Sequence, residues 1–292
     1  SNLNDPRIIT PREGFGLGFD SQWSDDYHHA LHALLTGERA GYYIGYERAS
    51  DLARAMKNGF LYTGQHSAYR RRKYGRKPET TDGTKFVVFA QNHDQVGNRM
   101  RGERLSTLVS TDKLRLAAAA IVLSPFIPLL FMGEEYGEKA PFQYFTSHFD
   151  NDLIEAVRKG RRREFEKFAW EGEAPDPHDN ETFNRSKLSR QENDSLRQLY
   201  KELLRLRRET PALRNLDLDA LEVHADDARA VVFVRRWTDV DQALVAFNFS
   251  DEAQTVNLPF RPAKWRALIE TGARVEGGRL TVLATNFALF GG

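Results

Sequence analysis

The chain has 292 residues, 40% of them hydrophobic and 28% charged, which suits one barrel or two smaller domains and excludes a disordered chain. A formal charge of +1 gives no field that would recruit nucleic acid or an anionic membrane, so neutral partners fit the balance. Cysteine is absent, which removes disulfides, thiol nucleophiles and cysteine metal sites together and permits a reducing cytosol.

In chain order, the first patterned stretch is Gln22 to Tyr43, QWSDDYHHALHALLTGERAGYY. Its aromatic faces, acids and imidazoles are the components of a pocket that stacks on a sugar ring and hydrogen-bonds its rim. The plainer reading is a helix N-terminus, with Asp25 and Asp26 as first-turn acids and the histidines packed or solvated. His28 and His32 share a helix face, which raises zinc. No glutamate follows His28 in an HExxH arrangement and no third ligand is evident, so no metal is expected. The run YRRRKYGRK, Tyr69 to Lys77, interleaves basic residues with tyrosine, as a nucleic-acid surface does. With net charge near zero, a charged loop is the better reading, and no nucleic-acid partner is expected.

The segment Lys85 to Arg104, KFVVFAQNHDQVGNRMRGER, carries the most information. Phe86 to Phe89 suit a strand buried on both faces. Gln91, Asn92, His93, Asp94, Gln95, Asn98 and Arg99 then crowd into nine positions, suited to a hydroxyl-rich ligand such as a sugar. A polar loop in which Asn and Asp cap the next helix and Gly97 supplies a turn has the same spacing.

Asp112 to Leu123 reads as a buried helix with Ser110 and Thr111 as candidate caps, and Ile127 to Glu138 as a second buried strand ending in Gly133 and a charged loop. Strand, helix, strand is the unit of a parallel sheet, and polar groups at strand carboxyl ends are characteristic of a barrel. Leu116 to Met132 is the longest apolar stretch; Ser124, Pro125 and Pro128 break it, so no membrane span is expected, nor a signal peptide. The run from Arg158 to Phe168 mixes acids with its arginines and reads as an exposed helix face. Leu196, Leu199, Tyr200, Leu203, Leu204 and Leu206 lie near helical spacing in a helix that closes at Pro211. From Leu221 onward, ALEVHA, AVVFVRRW and ALVAFNFS alternate with turn residues, the texture of an antiparallel β domain.

An Asn-His-Asp triplet closing a strand resembles the fourth short sequence region of the α-amylase superfamily of glycoside hydrolases. The longer NHDQVGNR, with Gly102 and Arg104 completing G-x-R, and WSDDYHHALHALLTGE resemble the maltooligosyltrehalose trehalohydrolase family within it. The resemblance implies an α/β fold: residues 1–214 as the C-terminal half of a catalytic (β/α)8 TIM barrel, and residues 215–292 as a small antiparallel β-sandwich. It implies hydrolysis of the α-1,4-glucosidic bond next to a terminal trehalose, in a cytoplasmic enzyme whose partner is maltooligosyltrehalose or a related α-glucan, with no cofactor.

On that resemblance Asp94 stabilises the oxocarbenium-like transition state and His93 hydrogen-bonds the same sugar. Gln95, Val96, Gly97, Asn98 and Arg99 complete the binding motif, while Asp25, Asp26, Tyr27, His28 and His29 line the substrate groove with Trp23 beside them. SNLNDPR, Ser1 to Arg7, follows the general-acid glutamate in the family, so that glutamate and the nucleophilic aspartate are expected in an upstream half of the enzyme. Asp5, Asp20, Glu134 and Glu135 do not stand in a matching context. For Glu134 and Glu135, a solvated loop or structural ion pairing is the expectation. A glycogen branching or debranching enzyme shares the triplet, and a noncatalytic glucan-binding fragment fits a chain with one of the three carboxylates.

Overall fold

The computed structural model describes residues 3–166, 174–191, 193–258, 260 and 265–292. Ser1 and Asn2 of the SNLNDPR run, and Lys167 and Phe168 of the run that begins at Arg158, lie outside the described residues. In chain order the elements are β1 (Gln22–Trp23), α1 (Asp25–Thr36), α2 (Ala49–Asn58), β2 (His66–Ser67), β3 (Arg72–Lys73), β4 (Phe86–Val88), α3 (His93–Gly97) and α4 (Leu105–Leu108). Then come α5 (Thr111–Val122), β5 (Ile127–Pro128), α6 (Asn151–Glu166), α7 (Asn180–Arg185), α8 (Asp194–Glu209) and α9 (Pro211–Arg214). The remainder is strand: β6 (Leu221–Asp226), β7 (Val231–Trp237), β8 (Gln242–Asn248), β9 (Gln254–Asn257), β10 (Arg266–Ala267), β11 (Arg274–Glu276), β12 (Arg279–Val282) and β13 (Asn286–Gly291).

By compactness the chain divides into two units. One comprises Ser1–Ala90, Thr111–Leu129 and Gln198–Gly292; the other comprises Gln91–Ser110 and Leu130–Arg197.

In the first unit β1, β4 and β5 pair in parallel in that order, Trp23 opposite Val87 and Val88 opposite Pro128. Helices separate the strands in sequence, giving a mixed α/β fold, and no barrel is closed among the described residues. Phe86 and Val88 are fully buried, and the Phe86 ring meets Phe60 and Phe126 edge-on at 5.3 Å each. Burial of each such side chain contributes about 1.5–3 kcal/mol. Gly59 ends α2 at φ 78°, and a Cβ there would lie 2.4 Å from the Phe86 ring, so only glycine lets the chain turn this close to β4. The expected strand from Ile127 shortens to two residues. Pro128 has no N–H to extend the ladder, although Leu129 N still donates to Val88 O at 2.8 Å. The basic run at Tyr69 to Lys77 falls on the β2–β3 hairpin, where the Arg70 guanidinium lies 4.1 Å from the Tyr74 ring centroid.

The last strands of this unit build two antiparallel sheets, β10-β13-β8-β7-β6 and β11-β12-β9. Alternation aims Val231, Phe233, Leu244, Ala246, Ala288 and Phe290 at one core with Val256, Leu280 and Val282. The opposite face of the larger sheet carries Val232, Val234, Val245 and Phe247, also buried. Arg236 is a buried cation and Arg207 a half-buried one, and among the described residues neither forms an ion pair with a carboxylate. Arg207 donates to Val122 O, Ser124 O and Phe126 O at 2.5–2.7 Å, where α5 ends. Arg236, from β7, donates to Leu123 O (3.3 Å), Ser124 O (3.1 Å), Leu213 O (2.7 Å) and Asn215 O. Burial and the Arg207 charge push Arg236 down to about 9, and burial pushes Arg207 down to about 10, so both remain charged at neutral pH.

The second unit holds α3, α4, α6 and α7. Arg104 is fully buried there, donating to Ala140 O at 2.7 Å and Met132 O at 2.8 Å. Glu138, 1% exposed, accepts from the Lys139, Ala140, Ser189 and Arg190 amides and from the Ser189 and Tyr136 hydroxyls. Glu134 is buried in a 3-10 turn, Glu134–Tyr136, so the solvated reading does not describe it. The helix α8 matches the expected span, with Leu196, Leu199, Tyr200, Leu203 and Leu206 buried but Leu204 41% exposed. Pro211 begins the short α9 at a position where its missing N–H costs nothing.

Candidate functional site

The polar run after β4 forms a short capped helix. Asn92 caps α3 by accepting from Asp94 N at 2.8 Å, and Gln95 reaches back to accept from Asn92 N at 3.1 Å. This capping box turns the chain and leaves His93 and Asp94 exposed, while Val96 and Gly97 are buried and Gln95 and Asn98 half-buried. Asp94 Oδ1 accepts from Asn98 Nδ2 at 2.7 Å, one helical turn away. Asn98 Oδ1 in turn accepts from Arg161 on α6 at 3.3 Å, and the same guanidinium donates to Gly97 O at 2.8 Å. Arg99 is 9% exposed, its Nε 3.7 Å from a Glu103 carboxylate oxygen. Gly102 sits at φ 69°, where a Cβ would lie 2.6 Å from the Phe142 carbonyl, so the G-x-R pattern marks a close backbone approach.

The Asp25–His29 group belongs to the first unit and opens α1. Ser24 caps the helix, accepting from Tyr27 N, and Asp25 and Asp26 occupy the first turn, the plainer of the two sequence readings. Asp26 is 2% exposed. It accepts from Asn4 Nδ2 at 2.6 Å, from the Leu61 and Tyr62 amides at 2.8 Å each, and from the Tyr46 hydroxyl at 2.5 Å. Burial pushes its carboxyl above the ordinary range against the pull of those four donors. Tyr27 is fully buried and donates to Ala120 O at 2.6 Å.

His28 is 1% exposed, with Nδ1 2.7 Å from Ala90 O and Nε2 3.3 Å from the Tyr43 hydroxyl. A carbonyl only accepts, so Nδ1 carries the proton and Nε2 takes one from Tyr43. His32 spends Nε2 on Glu38 at 3.0 Å. His29 is half-buried among the rings of Tyr42, Tyr43 and Tyr46 at 5.0–5.5 Å. Burial, with the charges of His32 and Arg70, holds it down at about 3. Trp23 meets Phe89 edge-on at 5.6 Å. Among the described residues no group of three or more His, Cys, Asp or Glu is arranged to hold a metal. Nor is any helix long and apolar enough to cross a membrane.

The structure thus gathers His93 to Arg99 on one turn and Asp25 to His29 on another, each within its own unit. Sequence reading missed Arg161, one of several arginines on an exposed-looking helix, and Asn4, Tyr46 and Tyr62 around Asp26. Nothing local to those positions signals a contact that far along the chain.

A family described as "Domain of unknown function (DUF3459)" matches residues 219–286, the β region. The malto-oligosyltrehalose trehalohydrolase of Saccharolobus solfataricus is 50% identical over 209 residues, 72% of this chain and 36% of that protein. The one from Brevibacterium helvolum is 46% identical over 235 residues, 78% of this chain and 40% of that protein. This chain is homologous to the malto-oligosyltrehalose trehalohydrolases of the α-amylase superfamily. It spans less than half the length of these trehalohydrolases. A crystal structure of a putative α-amylase from Salmonella typhimurium is similar in fold to this chain, at TM-score 0.78 and 36% identity over 93% of this chain and 46% of that one.

In a trehalohydrolase homologue, the Asp94 turn offers an exposed carboxylate with one oxygen already tied down and an exposed imidazole beside it in sequence. That arrangement can accept hydrogen bonds from sugar hydroxyls and stabilise positive charge.

Proposed function

We propose that the chain is the part of a retaining α-glucan hydrolase, a malto-oligosyltrehalose trehalohydrolase, that supplies the transition-state contact Asp94. The observation that carries this is the capped, exposed Asp94 turn in a chain 46–50% identical to trehalohydrolases. In the reaction a carboxylic acid protonates the leaving oxygen and a carboxylate about 5 Å away attacks the anomeric carbon, so that trehalose departs; water then cleaves the glycosyl–enzyme bond and releases the shortened maltooligosaccharide.

Asp94 takes hydrogen bonds from sugar hydroxyls that strengthen as the ring flattens, and its negative charge offsets the developing oxocarbenium charge. His93 donates to the same sugar. At the α1 N-terminus, Asp26, Tyr27 and His28 are buried and hold that turn from inside. Charge at the anomeric carbon is met by carboxylates, so the chemistry requires no metal.

The test is trehalose release from a maltooligosyltrehalose by the full-length protein, with an unmodified maltooligosaccharide for comparison. Asp94→Asn should lower kcat at least about a hundredfold, about 3 kcal/mol, with a smaller change in KM. Undiminished cleavage by Asp94→Asn removes the assigned role. Chain transfer without trehalose release identifies a branching enzyme, α-1,6 cleavage a debranching enzyme, and saturable glucan binding without turnover a noncatalytic fragment.

A further inference from the structure

We infer that Arg161 is a positioning residue for Asp94, acting through the side-chain amide of Asn98; the inference rests on the role proposed for Asp94. Arg161 lies 63 residues beyond Asn98, on α6 in the same compact unit. Its two terminal nitrogens divide their work. Nη1 donates to Asn98 Oδ1 at 3.3 Å and Nη2 to Gly97 O at 2.8 Å, while the Tyr144 ring supports the guanidinium, centroid 4.7 Å away.

An asparagine amide can face either way, and Arg161 makes the two orientations unequal. With Oδ1 toward the guanidinium, Nδ2 points at Asp94 Oδ1, 2.7 Å away. Flipped, the NH2 would face a cation and the carbonyl oxygen a carboxylate, two repulsive contacts in place of two attractive ones. Arg161 therefore fixes the donor that fixes the carboxylate plane. For an exposed aspartate this matters, because the side chain otherwise rotates freely and must be ordered in each catalytic cycle. The bond to Gly97 O holds the last residue of α3, so the turn and the amide are set by one planar fork.

The experiment uses the full-length protein and maltooligosyltrehalose, with Arg161→Met, Asn98→Ala, their double variant, Arg161→Lys and Asp94→Asn compared at matched folded fraction. Arg161→Met and Asn98→Ala should each lower kcat about fivefold to tenfold, as expected for one lost orienting hydrogen bond, with KM changed less than about twofold. The double variant should be no slower than the worse single, because both remove the same link. Arg161→Lys should keep most of the loss, since an ammonium cannot span both acceptors.

A purely structural Arg161 would lower the melting temperature and leave kcat of the folded protein unchanged. That result overturns the inference, as does a double variant whose losses multiply. Should Arg161→Met not fold, Arg161→Lys in the presence and absence of Asn98→Ala makes the same comparison, and multiplying losses again overturn it. If Asp94→Asn cleaves normally, the role of Asp94 falls and this inference with it. If Asp94→Asn is inactive while Arg161→Met is unimpaired, only the inference falls.

Discussion

Replacing Glu138 with glutamine tests how the second unit is held together. Oε1 takes the Lys139 and Ala140 amides at 2.8 Å each and the Ser189 hydroxyl at 2.6 Å. Oε2 takes the Tyr136 hydroxyl at 3.2 Å and the Ser189 and Arg190 amides at 2.7 and 3.2 Å. An amide nitrogen accepts nothing, so Glu138→Gln turns three donors against a fourth whichever way it faces. Burial pushes the carboxyl up, but the Ser189 hydroxyl and the Ala140, Arg190 and Ser189 amides outweigh it and hold it at about 2, against an ordinary 4.5.

That depression is worth about 3 kcal/mol in favour of the folded, ionised state. Because the folded value lies below the unfolded one, the stability is present above pH 4.5 and is lost as pH falls through about 2. Urea unfolding of wild type and Glu138→Gln should therefore differ by about 3 kcal/mol at pH 7, with the gap narrowing steadily below pH 4.5. A gap under about 1 kcal/mol at pH 7, or one that stays constant between pH 6 and pH 3, refutes the reasoning.

His29, held at about 3, should stay neutral from pH 8 to pH 5, and its ring resonances should not move over that range; a midpoint near 6.5 contradicts the burial assigned to it. The sign is opposite in origin to that of Glu138 but similar in effect. The unfolded imidazole takes a proton first, so stability is lost as pH falls from 6.5 toward 3. Gly102→Ala should lose about 2 kcal/mol or more, read as a lower urea midpoint, because φ 69° is left-handed and the new methyl would meet the Phe142 carbonyl; an unchanged midpoint refutes the close approach.

Elements governed by short-range rules were legible in the chain. The helices α1, α5 and α8 show in helical spacing and end signals, β6 to β8 as short runs between turn residues, and the Asp94 turn in the Asn and Asp that can cap a helix. What was not legible depends on distant partners. Asp26 reads equally well as a groove residue or a first-turn acid until Asn4, Tyr46, Leu61 and Tyr62 close over it. Arg236 looks like a surface charge because a guanidinium held by backbone carbonyls leaves no complementary acid in the sequence to find. For the same reason nothing at Arg161 marks it off from Arg162 or Arg163. The substrate roles of both turns rest on the proposal above, since hydrogen-bonding capacity in a sequence names a class of ligand and not its bond.

The carbonyl cluster around Arg207 and Arg236 bears on how such a chain can be recombined. Arg236 enters from β7, yet three of its four acceptors, Leu123, Ser124 and Leu213, precede the first strand of the antiparallel region by eight residues or more. Exchanging that region for the corresponding one of another protein would transplant strands readily enough, but a graft without an arginine at this register would take from Leu123 O, Leu213 O and Asn215 O the donor that Arg236 supplies, leaving Arg207 alone at the end of α5. The cation therefore acts as a compatibility mark: the two stretches must be inherited as a pair, and drift at position 236 is constrained by helix ends encoded more than a hundred residues earlier.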